Sequence, residues 1–154
     1  MRSTVVWLAR SARQVAFRVL RATGAFRKIS ASDWRRRRLL VLCYHGVSLD
    51  DEHQWDPELF VTPAFLRRRF EILKSGGYAV LPLDEAIKRC ADGTLPPRSV
   101  VLTFDDGLSD FAQIVAPLLA EFGYPATVYV TTYYSDKQWP VVPPILSYLL
   151  WKAG

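Results

Sequence analysis

Three short runs, Leu39–Tyr44, Val100–Phe104 and Ala126–Thr131, are almost wholly apolar or β-branched and give way to polar residues or glycine. Runs of this kind predict strands buried on both faces, as in parallel sheets covered by helices. Between them, apolar positions recur every three or four residues. Residues 63–74 predict a helix with Leu66, Phe70 and Leu73 on one face, Thr62 as N-cap, Pro63 in the first turn and Gly76-Gly77 as the stop. Residues 84–91 predict a second helix with Ile87 and Cys90 inward, after a short strand over 78–81 that Pro82 ends. Residues 110–122 predict a third, with Phe111, Val115, Leu118 and Leu119 apolar and Ser109 or Asp110 as its cap. Pro117 suits a first turn better than a helix interior, so a kink or restart is expected near Ala116.

The two ends read differently. Val5, Leu8, Ala12, Val15, Val19, Ala22 and Phe26 predict one amphipathic helix over 4–29. Arg10, Arg13, Arg18 and Arg21 cut its apolar runs too short for a transmembrane span or a secretory core. Such a segment suits an anionic membrane surface, a helix docked on the domain, or an Arg-rich transit peptide. Trp34 beside Arg35–Arg38 reads as a surface anchor or a solvated linker. At the other end, 139–151 is rich in Pro, Leu, Val and aromatics. Its apolar face, with Ile145, Leu146, Leu149 and Leu150, calls for a partner surface and signals truncation or association.

Charge sharpens this division into a basic arm, 1–38, and a domain, 39–154, with its core motif region at 98–154. The arm holds eleven Lys or Arg against one acid, Asp33, so the net +5 of the 154 residues leaves −5 for the domain. That distribution argues against nucleic acid as a partner of the folded part. The expected location is cytoplasmic or peripheral to a membrane. Half the residues are apolar, enough for one domain with a real core. Cys43 and Cys90 form no C-x-x-C pair and are expected to be buried, reduced thiols.

The chemistry concentrates in Ser99-Val-Val-Leu-Thr-Phe-Asp-Asp-Gly107. An apolar strand ends there in adjacent carboxylates, and ligands of α/β folds gather at the carboxyl ends of strands. Gly107 permits a sharp turn. The same three residues also make ordinary turn or capping chemistry, with Asp105 and Asp106 merely solvated. Leu39–Tyr44 repeats the pattern, ending in His45-Gly46. If the two strands are parallel, Tyr44 and His45 lie on the rim that carries Asp105 and Asp106. His45 is a candidate rim residue or an ordinary hydrogen-bonded histidine. His53 belongs to the acidic stretch 48–60, expected to be a rim loop, and has no metal-ligand partner at helical spacing.

Thr-Phe-Asp-Asp-Gly resembles the first motif of the polysaccharide deacetylases, the NodB-homology or carbohydrate esterase family four domain. Leu42-Cys-Tyr-His-Gly-Val47 and Tyr124-Pro-Ala-Thr-Val-Tyr-Val130 resemble flanking strands of that family, in the family's order. The resemblance implies a deformed (β/α) barrel and a hydrolase that uses a divalent metal, expected to be zinc, to remove N-acetyl or O-acetyl groups from sugars or polysaccharides. It makes Asp105 the catalytic base and Asp106 the metal ligand, with His45, Gly107 and Tyr44 at the rim.

The later His-Ser/Thr-x-x-His motif of the family is absent, the only histidines being His45 and His53. The expectation is therefore a barrel truncated after its first strands, with an incomplete metal site and no activity of its own. A non-catalytic module held at a membrane or a partner is the alternative. A Mg²⁺ phosphohydrolase has no phosphate-cradling Gly-rich loop to support it.

Overall fold

The computed structural model describes residues 14–153. The first of the described residues are helical: α1 over 14–22, α2 (Ala25–Ala31) and the single turn α3 (Asp33–Arg36). The continuous helix expected over 4–29 is interrupted, while its residues 4–13 lie outside the described residues. The break falls at Thr23-Gly24, where Gly24 adopts φ 70° and the Thr23 hydroxyl donates back to the carbonyls of Val19 and Leu20. Val15, Phe17, Val19 and Leu20 are exposed, and Phe17 stacks on Phe26 across the break at 5.8 Å.

The rest is built on one parallel sheet. Its centre is β5 (Ser99–Phe104), buried along its whole length. Strand β1 (Leu40–Tyr44) lies along one edge, in register from Leu40 opposite Val100 to Tyr44 opposite Phe104. The other edge is shared. Strand β4 (Ala79–Val80) pairs with Ser99 and Val100, while β6 (Thr127–Val128) pairs with Thr103 and Phe104. The parallel arrangement expected of the three long runs is thus present, although β4 and β6 are shorter than the predicted 78–81 and 126–131. These four strands form an open sheet among the described residues.

One face of β5, with Val100, Leu102 and Phe104, packs on α5 (Pro63–Ser75) and α7 (Ala116–Phe122). Leu66, Phe70 and Leu73 of α5 are buried as their spacing predicts, and Thr62 caps the helix by accepting from the Phe65 amide. Phe70 meets Phe122 and Tyr124 edge-on, with centroids 5.6 and 5.5 Å away.

Helix α6 (Leu83–Ala91) lies against β5 but turns the expected face outward. Ala86 is its buried residue, while Ile87 is 58% exposed and Cys90 is exposed. The small Ala86 side chain lets the helix approach the sheet closely, and the bulkier Ile87 falls to one side.

Strand β1 also departs from expectation. It is not buried on both faces: Val41 is 50% exposed and Cys43 is exposed, while Leu40, Leu42 and Tyr44 alternate toward the core. As the edge strand, β1 has a cover of helices on one side only. Its outer face carries Val41 and Cys43, opposite the buried Val101 and Thr103 of β5.

The stretch 48–60, read as a loop, contains structure. Strand β2 (Gly46–Val47) pairs in parallel with β3 (Phe60–Val61), and α4 (Glu52–Trp55) lies between them. A side chain on Gly46 would run into the Phe60 ring, so glycine is required where β2 leaves β1. After β5, residues Phe111–Val115 form a π-helical turn, and α7 restarts at Ala116 with Pro117 in its first turn. Pro117 lacks the N–H that a continued α-helix would need and crowds the carbonyl four residues back, which widens the turn before it. Helices α8 (Thr132–Lys137) and α9 (Val142–Ala153) complete the chain. Tyr148 of α9 packs edge-on against Trp55 at 5.7 Å, while Leu146, Leu149 and Leu150 are exposed.

Candidate active site at the carboxyl ends of β1 and β5

The ladder between β1 and β5 extends one step past the strands, because the Asp105 amide donates to the Tyr44 carbonyl at 2.8 Å. That step sets His45 beside Asp105. Side chains alternate along a strand, so Cys43 and His45 share a face with Thr103 and Asp105, whereas Tyr44 and Phe104 share the other. The Cys43 thiol donates to Asp105 Oδ2 at 3.2 Å, and His45 Nε2 stands 3.9 Å from the same oxygen. All three side chains reach solvent to some degree.

Tyr44, expected at the rim, turns the opposite way. Its ring stacks on Phe104 at 5.4 Å and packs against the core, and burial pushes its phenol above the ordinary range. The Cys43 thiol is also pushed up, first by partial desolvation and then by its bond to Asp105. It is exposed, not buried as the sequence suggested, because β1 is uncovered on that side.

Asp106 and Gly107 take left-handed backbone angles in succession, with φ 69° and 63°. This turns the chain off the sheet immediately after Asp105. Asp tolerates the conformation, whereas a Cβ at Gly107 would come within 3.1 Å of Val130. The turn is tied to the chain beyond β6 by the Thr131 hydroxyl, which donates to the Asp106 carbonyl at 3.1 Å. Asp105 and Asp106 are both half-buried, the first ending the ladder and the second beginning the turn.

Asp110 does not cap its own helix. Its Oδ2 accepts the Val47 amide at 2.6 Å, locking β2 to the segment that follows the carboxylates. Burial pushes this carboxyl above its usual range, opposed by the Val47 N–H. Beside it lies a cavity of about 300 Å³, lined chiefly by Val47, Leu49, Trp55, Phe60, Leu108, Ile145 and Tyr148. His53 is remote in function from the carboxylates: its amide and its Nδ1 both bond the Ser48 hydroxyl.

As to metal, the described residues bring together one set of ligand atoms, Cys43 Sγ, a His45 ring nitrogen and an Asp105 oxygen, all within 4.8 Å of one another. Sulfur, imidazole and carboxylate are donors that zinc takes. Asp106 is not in the set, and no second or third histidine joins it. The ligand set implied by resemblance is therefore not assembled by these residues. Cys43 was the residue missed; the Cys-x-His spacing at a strand end, two donors on one face, was the available signal.

Residues 92–147, which include β5, both carboxylates and the turn, match the polysaccharide deacetylase family. The chain is 30% identical over 99 residues to the poly-beta-1,6-N-acetyl-D-glucosamine N-deacetylase of Escherichia coli, a match covering 64% of this chain and 14% of that protein. Among solved structures, it resembles the de-N-acetylase from Aggregatibacter actinomycetemcomitans, with 31% identity and TM-score 0.56, over 64% of this chain and 39% of that one. A Streptococcus pyogenes deacetylase solved in complex with acetate is 27% identical with TM-score 0.59, over 66% of this chain and 46% of that one. The chain thus spans less than half the length of each of these relatives.

Proposed function

We propose that this chain carries the base-bearing segment of a polysaccharide de-N-acetylase, with Asp105 as the general base and a poly-N-acetylglucosamine as the substrate class. The supporting observation is the place of Asp105: at the carboxyl end of the central strand, half-buried, with its carboxylate beside the uncovered face of β1. There it can accept the proton of a water attacking an acetamide carbonyl. The Cys43 thiol holds the Asp105 carboxylate, with His45 beside it, and the turn at Asp106-Gly107 begins directly after. Asp106 is the metal ligand in this reading. A divalent cation held by Asp106 together with further ligands would supply Lewis-acid polarisation of the carbonyl.

In the same reading the 154 residues alone release no acetate, because only Asp106 of the required ligands is present among them. Zinc hydrolases commonly use three protein ligands. The arm, through 14–38, holds the protein at an anionic membrane surface: exposed Phe17, Val19, Ile29 and Trp34 lie among Arg18, Arg21, Lys28 and Arg35.

The test is a chimera in which residues 39–137 replace the aligned segment of the Escherichia coli deacetylase. A folded chimera should release acetate from N-acetylglucosamine oligomers, and Asp105→Asn should abolish the release. A chimera with native circular dichroism and no turnover, or one indifferent to Asp105→Asn, refutes the assignment.

A further inference from the structure

The trio of Cys43, His45 and Asp105 is not the ligand set of the proposed reaction, and it has the chemistry of a binding site in its own right. Cys43 lies on β1, while His45 and Asp105 each follow their strand by one residue, where the bond from the Asp105 amide to the Tyr44 carbonyl continues the ladder and fixes their spacing. No loop has to close to assemble them. Around a tetrahedral zinc-like ion, with bonds of about 2.0–2.3 Å, donor atoms stand roughly 3.4–3.6 Å apart. The sulfur-to-oxygen distance of 3.2 Å and the nitrogen-to-oxygen distance of 3.9 Å lie on either side of that spacing. All three donor atoms lie within 4.8 Å of one another, so side-chain rotations of about an ångström would close them around an ion.

We propose that Cys43 Sγ, the His45 ring and the Asp105 carboxylate bind a borderline-soft divalent cation of the zinc and cadmium class. The fourth position faces solvent on the open side of β1. On binding, the Cys43 thiol gives up its proton to solvent, the S–H bond is replaced by a sulfur–metal bond, and nothing is oxidised or reduced. Imidazole and thiolate set the preference: Mg²⁺ and Ca²⁺, which favour oxygen donors, should bind far more weakly. Occupation ties up the Asp105 carboxylate. The site goes beyond the deacetylase reading, in which Asp105 is free and Asp106 is the ligand, and in a complete enzyme it would make excess soft metal inhibitory.

The test is titration of the full 154-residue chain with Cd²⁺, reading the ultraviolet sulfur-to-metal charge-transfer band, with calorimetry for stoichiometry. One Cd²⁺ per chain is expected, with the band abolished by Cys43→Ser and retained by Cys90→Ser and Asp106→Asn. His45→Ala and Asp105→Asn should each weaken affinity about tenfold or more, while Mg²⁺ fails to compete at millimolar levels. Absence of the band in the unaltered chain overturns the proposal, as does a band that follows Cys90. Unchanged affinity in both His45→Ala and Asp105→Asn reduces the site to a single thiol and equally overturns it. Circular dichroism of each variant separates lost binding from lost fold. None of these outcomes bears on acetate release by the chimera, so the two readings stand or fall separately.

Discussion

The Cys43 thiol points its proton at Asp105 Oδ2, 3.2 Å away just past the end of the next strand, so the reactivity of the thiol depends on that carboxylate. Removing the charge from Asp105 should therefore change how fast Cys43 reacts. In the unaltered protein the thiol, held above its ordinary range by desolvation and by Asp105, should alkylate slowly near neutral pH. Asp105→Asn should accelerate iodoacetamide labelling of the Cys43 peptide, followed by mass spectrometry, and shift its pH profile to lower pH. Labelling of Cys90 is the internal control. Equal Cys43 rates in both proteins would mean that the thiol does not sense the carboxylate.

Asp110 makes a stability prediction whose sign follows from burial. Its carboxyl is raised in the folded state, so the native protein binds the proton more tightly than the unfolded chain does. The stability gained that way is full below the unfolded pKa and is lost as pH rises through the folded one. Asp110→Asn keeps an acceptor for the Val47 amide without a charge to desolvate, so its stability relative to the unaltered protein should improve from about pH 4 to pH 7. Asp110→Ala strands a buried N–H and should cost about 1–3 kcal/mol at both. Urea unfolding at the two pH values measures this. Equal losses for Asn and Ala at neutral pH would show that the hydrogen bond is not what Asp110 contributes.

The arm should bind vesicles reversibly. Sedimentation with phosphatidylserine-rich vesicles is expected to pull down the full chain, to weaken steeply with salt, and to fail for a chain beginning at Arg38. Binding that survives high salt, or the loss of residues 1–37, contradicts this role.

How far the sequence led depended on whether the signal was local. Helix α5 was legible because Thr62, Pro63, the spacing of Leu66, Phe70 and Leu73, and Gly76 all agree. The restart at Ala116 followed from Pro117 alone. The parallel pairing of β1 with β5 could be inferred from two apolar runs ending alike, and that placed His45 next to Asp105. What failed was exposure. A run such as Leu40–Tyr44 reads the same whether it lies in a sheet's centre or at its edge, so Val41 and Cys43 were expected inside and stand outside. The outward turn of Tyr44's neighbours and the inward turn of Tyr44 itself follow from pleat alternation, but only once the covered face is known. Asp110 misled for a related reason: a helix start suggests a cap, and its actual partner, Val47, is distant in sequence.

The register of β1 against β5 also governs how the chain reaches this structure. Leu40 pairs with Val100, so the first strand emerges from the ribosome some sixty residues before the strand that completes it. Until then its backbone donors and its Val41 side chain have no sheet to join. Parallel pairing across such a separation closes a long loop before any contact rewards it, which makes the step slow and the waiting strand prone to adhere to other chains. During synthesis, the helix that precedes β5 and the one that follows β1 can form first. The carboxylates that end β5 are the last part of the central strand to be made. The protein therefore gathers its proposed chemistry late, in the same event that gives it a core.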